Sequence, residues 1–395
     1  GFSGKKSSVN VSQINQFVSL TQKYLEHSIK TNKRNDNLYH AYNLISIDDE
    51  GISISYLDEM LEGQVAVLSS NYLSGVESLE VLDALRQSAL YRKDQQSYIL
   101  YPNKQLPGFL EKNNIPEDLV EKSELLKKLV SDYNHRIINE DIEGGYHFNG
   151  NFKNAGDLKA ALNDMKSTRY GPLVEKEEDL VLEIFEEVFN HKAFTGRSGT
   201  FFAYEGLGSI YWHMVSTLLL ATQECYFQAL ENSSEKNTLQ RLGELYYQIR
   251  GGIGFNKTPS EYGAFPYDPY SHTPMHSGAQ QPGMTGQVKE EVLSRYGELG
   301  VRIENGQIKF QPSLLRQQEF LTETSEFSYL DLAEKPQVIA LANQSLAFTL
   351  CQVPIIYQLT NHQSSLIIHR SSGVADQKAN LLLDAKESQS IFKRE

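Results

Sequence analysis

The chain has little of what disulfide frameworks, membrane spans and nucleic-acid-binding surfaces require. It contains only two cysteines, Cys225 and Cys351, which lie far apart in apolar runs. A disulfide framework or a thiolate zinc site is therefore excluded, and two buried thiols are expected. No run of about 18 apolar residues occurs, so no membrane-spanning helix is predicted. Only 37 Lys and Arg residues stand against 50 Asp and Glu residues, and this acidic balance disfavours nucleic acid and membrane surfaces as partners.

The remaining composition is that of a globular protein. Of the 395 residues, 40% are hydrophobic and 10% are aromatic, which allows a sizeable core and argues against global disorder. The length allows one large domain or roughly two to three ordinary ones. The first residues, GFSGKKSSVNVSQ, lack the apolar core of a signal peptide. We therefore expect a cytoplasmic protein, or a periplasmic or secreted one whose leader was removed before residue 1.

The spacing of apolar residues changes along the chain. From about residue 9 to 300 it is mostly helical, and from 301 onward it is typical of strands. Residues 204–233 are apolar on nearly all sides, which predicts a buried central helix, and Asn305-Gly306 between alternating runs predicts a β-hairpin. We therefore predict a mainly α protein, with a toroid-like helical domain over 1–300 and a β-rich region over 301–395. The loops at one rim of such a ring of helical hairpins would carry the chemistry.

The first of three polar, aromatic-rich loops spans Asn32–Ile45. Sugar recognition needs aromatic faces beside amides and charged groups, because the apolar face of a sugar ring packs on the aromatic while its hydroxyls bind the polar partners. The candidate residues of this loop and of the helix after it are Arg34, Tyr39, His40, Asn43, Glu62 and Gln64. All are candidates for substrate binding except Glu62, which is a candidate catalytic carboxylate. The alternative is that the aromatic residues pack between helices with satisfied polar tips.

The second loop spans Phe194–Met214 and turns into the predicted central helix. Tyr204 and Glu205 lie at this turn. Burial raises the pKa of a carboxyl group and a helix N-terminus lowers it, so Glu205 is a candidate catalytic residue, and Tyr204 a candidate for substrate binding. Glu205 could instead be a structural cap or ion-pair partner. We expect Trp212 to lie in the core rather than to form a sugar platform.

The third loop, Ile249–Gln287, is too long for a simple connection in a compact helical domain, and its aromatic residues argue against disorder. It supplies one candidate catalytic residue, Asp268. Its candidates for substrate binding are Tyr270, His272, His276, Gln280 and Gln281. His272 and His276 have a spacing found in metal sites, but the intervening Pro274 opposes a regular helix, and no metal site is predicted. The loop ends in Thr285 and Gly286 at a predicted helix N-terminus, where free N–H groups can bind an anion or a hydroxyl.

The segment 284–315, MTGQVKEEVLSRYGELGVRIENGQIKFQPSLL, resembles the end of the catalytic toroid in cellobiose-phosphorylase-like enzymes, and residues 59–86 are similar to one of their helical hairpins. The resemblance implies a complete or incomplete (α/α) six-hairpin toroid with a β-rich C-terminal appendage. It also implies Thr285 and Gly286 as phosphate-binding residues. Those enzymes carry their general acid in a tryptophan-containing segment upstream of the matched region, and this chain has no Asp-Trp pair. We therefore expect either the C-terminal part of a larger enzyme or a relative that uses other acids. The first is favoured, with the N-terminal part of that parent protein as a partner.

The sequence favours a carbohydrate-active enzyme, either a glycoside phosphorylase or a hydrolase, that acts on an oligosaccharide. Inorganic phosphate is the possible co-substrate and no cofactor is expected. Carboxyl groups about 6.5–9.5 Å apart would suit an inverting hydrolase, whereas phosphate in place of water leaves one acid to be supplied. One alternative is a non-catalytic saccharide-binding or assembly module, which needs no unpaired carboxylate in its cleft. Another is a helical interaction scaffold, which would expose a large apolar patch.

Overall fold

A computed structural model describes most of the chain and divides it into two compact units. Unit 1 comprises Gly1–Asn43, Ile54–Leu100 and Ile210–Glu395, and unit 2 comprises Leu44–Ser53 and Tyr101–Ser209. The residues that are not described are 1–3, 5, 49–50, 104–106, 191–207, 255–256, 266–269, 274–277, 283–284, 362, 371, 374 and 395. For residues 48, 281–282 and 285–287 only the backbone is described.

The predicted mainly α toroid is wrong. About 44% of the structure is helical and 20% is strand, and the strands form many small sheets that also occur among the helices. Tyr91–Arg92 and Ser97–Tyr98, for example, pair as two-residue strands. Such short strands leave no apolar periodicity in a sequence, because alternation needs several residues to show. The predicted division at residue 300 is untested and stays a prediction.

Four described helices of unit 1 have capping boxes, in which the N-cap side chain and the third helical residue bond each other's backbone N–H groups. The caps are Asn10, Ser74, Thr258 and Asp384. The helices are α1 Val11–Thr31, α2 Leu61–Leu68, α3 Gly75–Gln87, α9 Trp212–Glu231, α10 Lys236–Gly252, α11 Pro259–Tyr262, α12 Thr285–Glu298 and α13 Ala385–Lys393.

Helix α9 is the central helix of unit 1, as predicted. Most of its side chains are buried, and it packs against α2, α10 and α12. Trp212 is fully buried at its first position, which confirms the expected core role. Cys225 on α9 is buried, whereas Cys351 is half-buried, so only one of the two predicted buried thiols is confirmed. In contrast, α1 buries none of its residues.

The strands of unit 1 pair mostly with their neighbours in the chain. Asn305 and Gly306 both have positive φ, 51° and 77°, and join two strands in register from Val301↔Phe310 to Glu304↔Gln307. The predicted hairpin is thereby confirmed. The one three-stranded sheet among the described residues joins Ile210–Tyr211, Tyr270–Thr273 and Gln280–Pro282, in that order. The strands are β3 Tyr91–Arg92, β4 Ser97–Tyr98, β7 Ile210–Tyr211, β8 Tyr270–Thr273, β9 Gln280–Pro282, β10 Val301–Glu304, β11 Gln307–Phe310, β12 Ser325–Leu330, β13 Pro336–Leu341, β14 Ser345–Leu350, β15 Val353–Gln358, β16 Leu366–His369 and β17 Ala375–Lys378.

Unit 2 has its own apolar core, in which Phe148 and Phe185 meet edge to face at 5.0 Å. A buried carboxylate, Glu177, accepts hydrogen bonds from Ser123 Oγ (2.8 Å) and Leu125 N (2.9 Å), and so satisfies the start of a helix from a distance in sequence. The helices are α4 Phe109–Lys112, α5 Glu117–Glu121, α6 Glu124–Ser131, α7 Ala155–Met165 and α8 Gly171–Phe189. The strands are β5 Ile138–Glu140 and β6 Tyr146–Phe148, and an earlier pair, β1 Leu44–Asp48 and β2 Gly51–Ser55, begins in this unit.

Candidate functional site

Helices α9 and α12 of unit 1 begin at the same end. His213, near the start of α9, lies 3.3 Å from Glu290 in the first half of α12. Farther along both helices, Gln223 donates a 2.8 Å hydrogen bond to the carbonyl oxygen of Ser294. Residue numbers therefore rise together along the two helices, which run side by side in one direction.

Helix α2 shares this direction. The carbonyl oxygen of its last residue, Leu68, accepts a hydrogen bond of 3.4 Å from Cys225 Sγ in the second half of α9. At the other end, Leu61 N donates to Leu100 O just after β4, and β4 packs beside β7, which leads directly into α9. The N-termini of α2, α9 and α12 thus lie at one end of the helical layer. The positive ends of the three helix dipoles therefore lie at this end.

A salt-bridged group lies before α2 at this end. Arg34 donates to both carboxylate oxygens of Asp36, at 3.1 and 2.8 Å, and reaches Glu59 at 3.4 Å. The hydrogen bond that Arg34 donates to Asp36 and the charges of both acids raise the pKa of Arg34. Burial alone would raise the pKa of Asp36, but the hydrogen bonds from Arg34 and from the Leu38 N–H lower it below its usual value. Arg34 is therefore a fixed cation whose charge is shared by two carboxylates.

Gln64 fixes the backbone of the first loop. Its Oε1 accepts from Tyr39 N at 2.8 Å, and its Nε2 donates to Tyr39 O at 2.8 Å and to Met60 O at 3.0 Å. The side chain is fully buried. Its amide therefore holds Tyr39 in place, and the predicted role of both residues in substrate binding stays a prediction.

His40 and Asn43 carry buried polar atoms in the same loop. The His40 ring stacks on Tyr56 at 3.9 Å and 23°. Burial, and then the charge of Arg34, lower its pKa. Asn43 Nδ2 donates to Asn32 Oδ1 at 2.7 Å. Nδ1 of His40 and Oδ1 of Asn43 are buried and have no hydrogen-bond partner among the described residues, which is uncommon for buried polar atoms.

A second group of polar side chains lies at the starts of α9 and α12. Tyr211 ends β7 and is the N-cap residue of α9. Its hydroxyl lies 3.3 Å from His213 Nδ1, and its ring stacks on His272 of β8 at 5.0 Å and 10°. The other His213 nitrogen faces Glu290, which is 8% exposed. We call Tyr211, His213, His272 and Glu290 the Tyr211 group.

The three-stranded sheet holds this group against the core. His272 pairs with Tyr211 on one side and with Gln280 on the other. Trp212 Nε1 donates to Thr273 Oγ1 at 2.8 Å, which ties the start of α9 to β8. Tyr270 of β8 meets the ring of Tyr262 edge to face at 6.0 Å. Two of the predicted substrate-binding residues, His272 and Gln280, are thereby brought together.

Lys257 places a partly buried cation beside the Trp212 ring. Its Nζ lies 5.3 Å from the centre of the Trp212 ring and donates to the backbone and side-chain oxygens of Gln95, the latter at 3.0 Å. Burial, and then the charge of Arg92, lower the pKa of Lys257 to about 8. A lysine held in this way is a source of positive potential at the same end of the helices.

Several predicted residues have no described side chain. Tyr204, Glu205, Asp268 and His276 lie outside the described residues. Thr285 and Gly286 are the first two residues of α12, and Gln281 lies in β9, with only their backbone described. Glu62 stands in the first turn of α2. The prediction that the loops at one rim carry the chemistry therefore stays a prediction.

Sequence reasoning missed Tyr211, His213 and Glu290. Tyr211 and His213 flank the buried Trp212, and an aromatic-His pattern at a strand-to-helix turn was the available signal. Glu290 lies four residues after Gly286, a spacing that places both on one face of α12. That spacing was visible, but its partner across the fold was not.

One comparison with known families identifies a segment of unit 2. Residues 106–192 match the family model of the GH149 phosphorylase insertion domain 2. Through this segment the chain is related to glycoside phosphorylases. The match covers less than half of the chain and lies between the two segments that resemble cellobiose-phosphorylase-like enzymes, so that finer resemblance stays a prediction. No curated protein matches the chain.

Two kinds of feature are absent from the part of the chain that the structure describes. No helix in the described ranges has the length and apolarity needed to cross a membrane. Among the residues whose placement is described, no cluster of three or more His, Cys, Asp or Glu side chains could hold a metal ion.

Proposed function

We propose that the protein takes part in phosphorolysis of a glycosidic bond in an oligosaccharide, at the end of unit 1 where α2, α9 and α12 begin. The observation that carries the proposal is the match of residues 106–192 to an insertion domain of GH149 phosphorylases. The residues at the helix starts supply the chemistry that such a reaction needs, namely an anion site, polar groups for a sugar and nearby carboxylates.

The proposed phosphate site is the first turn of α12. Thr285 and Gly286 open this helix, and the N–H groups of a first helical turn have no partner within the helix. These groups and the helix dipole favour an anion. The positive charge of Lys257 and the neighbouring starts of α2 and α9 add to the same potential. This supports phosphate as the nucleophile in place of water.

The proposed sugar contacts are the polar atoms of the first loop. His40 Nδ1 and Asn43 Oδ1 are buried and unpartnered among the described residues, and a sugar hydroxyl can donate to either. The Tyr56 ring behind His40 fixes the imidazole plane. The two atoms would contribute to the orientation of an oligosaccharide.

The general acid is proposed among Asp268, Glu205 and Glu62, because phosphorolysis needs one carboxylic acid to protonate the leaving oxygen. Asp268→Asn and Glu205→Gln should each lower turnover by about 10²–10⁴-fold if the residue is that acid. A variant that keeps the wild-type rate removes its residue from the proposal.

The deciding experiment is to incubate the intact protein with a panel of β-linked disaccharides and longer oligosaccharides, with and without inorganic phosphate. Phosphorolysis yields sugar phosphate only when phosphate is present. Hydrolysis yields free sugar in both series. If neither product forms across the panel, the proposed activity is wrong.

A second candidate is a non-catalytic saccharide-binding or assembly module. The observation that favours it is that the family match is confined to an insertion domain. In this case calorimetry would detect oligosaccharide binding, while the same panel would give no product with or without phosphate.

A further inference from the structure

The Tyr211 group contains a buried carboxylate, Glu290, that has no role in the proposed phosphorolysis. Glu290 is 8% exposed. Its Oε2 lies 3.3 Å from Nε2 of His213, an ion-pair distance, and this oxygen accepts no hydrogen bond of regular geometry from the described residues. Burying a carboxylate is costly unless a partner compensates it, so the contact with His213 needs an explanation.

The contact sits beside the proposed phosphate site. Glu290 and Gly286 are four residues apart on α12 and therefore share one face, about one helical turn of 5.4 Å apart. Side chains on a helix lean toward its N-terminus, which brings the Glu290 carboxylate and the His213 ring toward Gly286. His213 thus joins the start of α9 to the second turn of α12.

The imidazole of His213 has a partner on each nitrogen. Glu290 faces Nε2, and the Tyr211 hydroxyl lies 3.3 Å from Nδ1. The negative charge of the carboxylate, 3.3 Å from Nε2, favours the ring form that carries a proton on this nitrogen. In the neutral ring this leaves Nδ1 as the acceptor for the Tyr211 hydroxyl. The Tyr211 ring is in turn stacked on His272.

We propose that Glu290 is a positioning residue that fixes the proton of His213 on Nε2, and thereby locks Tyr211 and His272 into one wall of the phosphate site at the start of α12. The inference rests on the proposed function for its consequence in catalysis. Glu290 acts through His213 and does not itself touch substrate. A substitution that removes its carboxylate releases the ring to the other tautomer and loosens the wall.

The first test reads the ring directly and needs no activity. The ¹⁵N spectrum of His213, assigned by its loss in His213→Gln, should show a proton on Nε2. In Glu290→Leu, the spectrum should change to a mixture of tautomers, whereas Glu290→Gln, which keeps an acceptor oxygen, should restore the wild-type form in part. Glu291→Leu, at the next position of the same helix, is the matched control and should leave the spectrum unchanged.

The second test is kinetic and separates positioning from general stability. Glu290→Leu should raise the KM for inorganic phosphate about tenfold, with a smaller change in kcat and an unchanged melting temperature. Loss of the outer-shell partner of a metal ligand lowers affinity or activity about 10–100-fold, and we expect the lower end of that range here. Tyr211→Phe should add little to the effect of Glu290→Leu, because residues that act as a unit are not additive. Additive effects, or a KM for phosphate that stays at the wild-type value, would overturn the inference.

The two tests also distinguish the inference from the function beneath it. If the wild-type protein forms no sugar phosphate, the proposed function fails, while the ring spectrum still decides whether Glu290 positions His213. If the spectrum shows no proton on Nε2, or is the same in Glu290→Leu as in the wild type, the positioning role is wrong even if the enzyme is active.

Discussion

At the residue scale, the amide of Gln64 does for Tyr39 what a neighbouring strand does in a sheet. It satisfies both the N–H and the C=O of Tyr39 and also bonds Met60 O. A buried backbone group that loses its partner costs about 1–3 kcal/mol. One side chain therefore holds the loop that carries His40 and Asn43.

Gln64→Leu, which keeps a similar volume, should lower the free energy of unfolding by about 3 kcal/mol, because it leaves two or three backbone groups without partners. Urea denaturation followed by the fluorescence of Trp212, the one tryptophan of the sequence, measures this loss in unit 1. Gln240→Leu is the control, because Gln240 is exposed and its side chain bonds Glu244 one turn along the same helix. This substitution should change the free energy of unfolding by less than about 0.5 kcal/mol. Equal effects of the two substitutions would contradict the role of Gln64.

His147 and Asp141 form a titratable pair in unit 2. His147 Nε2 lies 2.9 Å from Asp141 Oδ2, and its Nδ1 lies 2.6 Å from Asn113 O. Hydrogen bonds to Asp141 and to Asn113 raise the pKa of His147. The bond to His147, with the N–H groups of Gly145 and Glu143, lowers the pKa of Asp141 to about 2.

The stability of the β5–β6 hairpin should therefore depend on pH at both ends of the scale. A raised pKa in the folded state means that His147 stabilises the hairpin below its ordinary pKa of about 6.5, and that this contribution is lost as the pH rises through the folded-state value. The Asp141 contribution is present above its ordinary pKa and is lost as the pH falls toward 2. Amide hydrogen exchange in β5 and β6, corrected for intrinsic rates, should show faster opening at pH 8.5 than at pH 5.5. His147→Gln should remove that difference, and a difference that persists would refute the assignment.

At the element scale, the junction between α12 and β10 depends on one glycine. Gly300 has φ +73°, and a Cβ there would lie 2.2 Å from the carbonyl carbon of Gln311 and 2.3 Å from Pro312 N. Gln311 N also donates to Gly300 O at 2.7 Å. The close approach of two backbone segments fixes where the β-rich part of unit 1 begins.

Gly300→Ala should destabilise the protein more than twice as much as Gly306→Ala. Gly306 is a matched control, because its φ is +77° and a Cβ there would meet nothing within 4 Å. Gly306→Ala should cost only the left-handed strain of about 1–2 kcal/mol, whereas Gly300→Ala adds a clash with backbone. Urea midpoints measure both, and soluble yield reports a Gly300→Ala variant that does not fold. Similar losses would show that the junction adapts.

Elements with a strong local signal were predictable from the sequence. The all-round apolar character of residues 204–233 predicted a buried helix, which is α9 (Trp212–Glu231). Asn305-Gly306 predicted the β10–β11 hairpin, which needs two positive φ angles. The two-residue strands of the first 300 residues were not predictable. Their pairing is decided by which chain segments meet in space, and no local pattern in the sequence records this.

At the scale of the whole molecule, the sequence indicated a relation to glycoside phosphorylases but misplaced its strongest evidence. The family match falls on residues 106–192, a stretch for which the sequence analysis predicted helical spacing and no functional site. The toroid prediction failed because helical periodicity shows which face of a helix is buried, and does not show which helix covers it. The same limit hid Glu290, whose role follows only from its partner on another helix.

Helix α1 buries none of its residues, and it should therefore unfold locally more easily than the packed helices. This 21-residue helix buries no side chain, and Phe17, Tyr24 and Leu25 are more than half exposed. Helices gain most of their stability from packing, so α1 should fray more often than any core helix. Brief trypsin treatment should therefore cut at Lys23 and Lys30 well before Lys159 of the packed helix α7, with mass spectrometry as the readout. Earlier cleavage in α7 would mean that a covering surface protects α1 in solution.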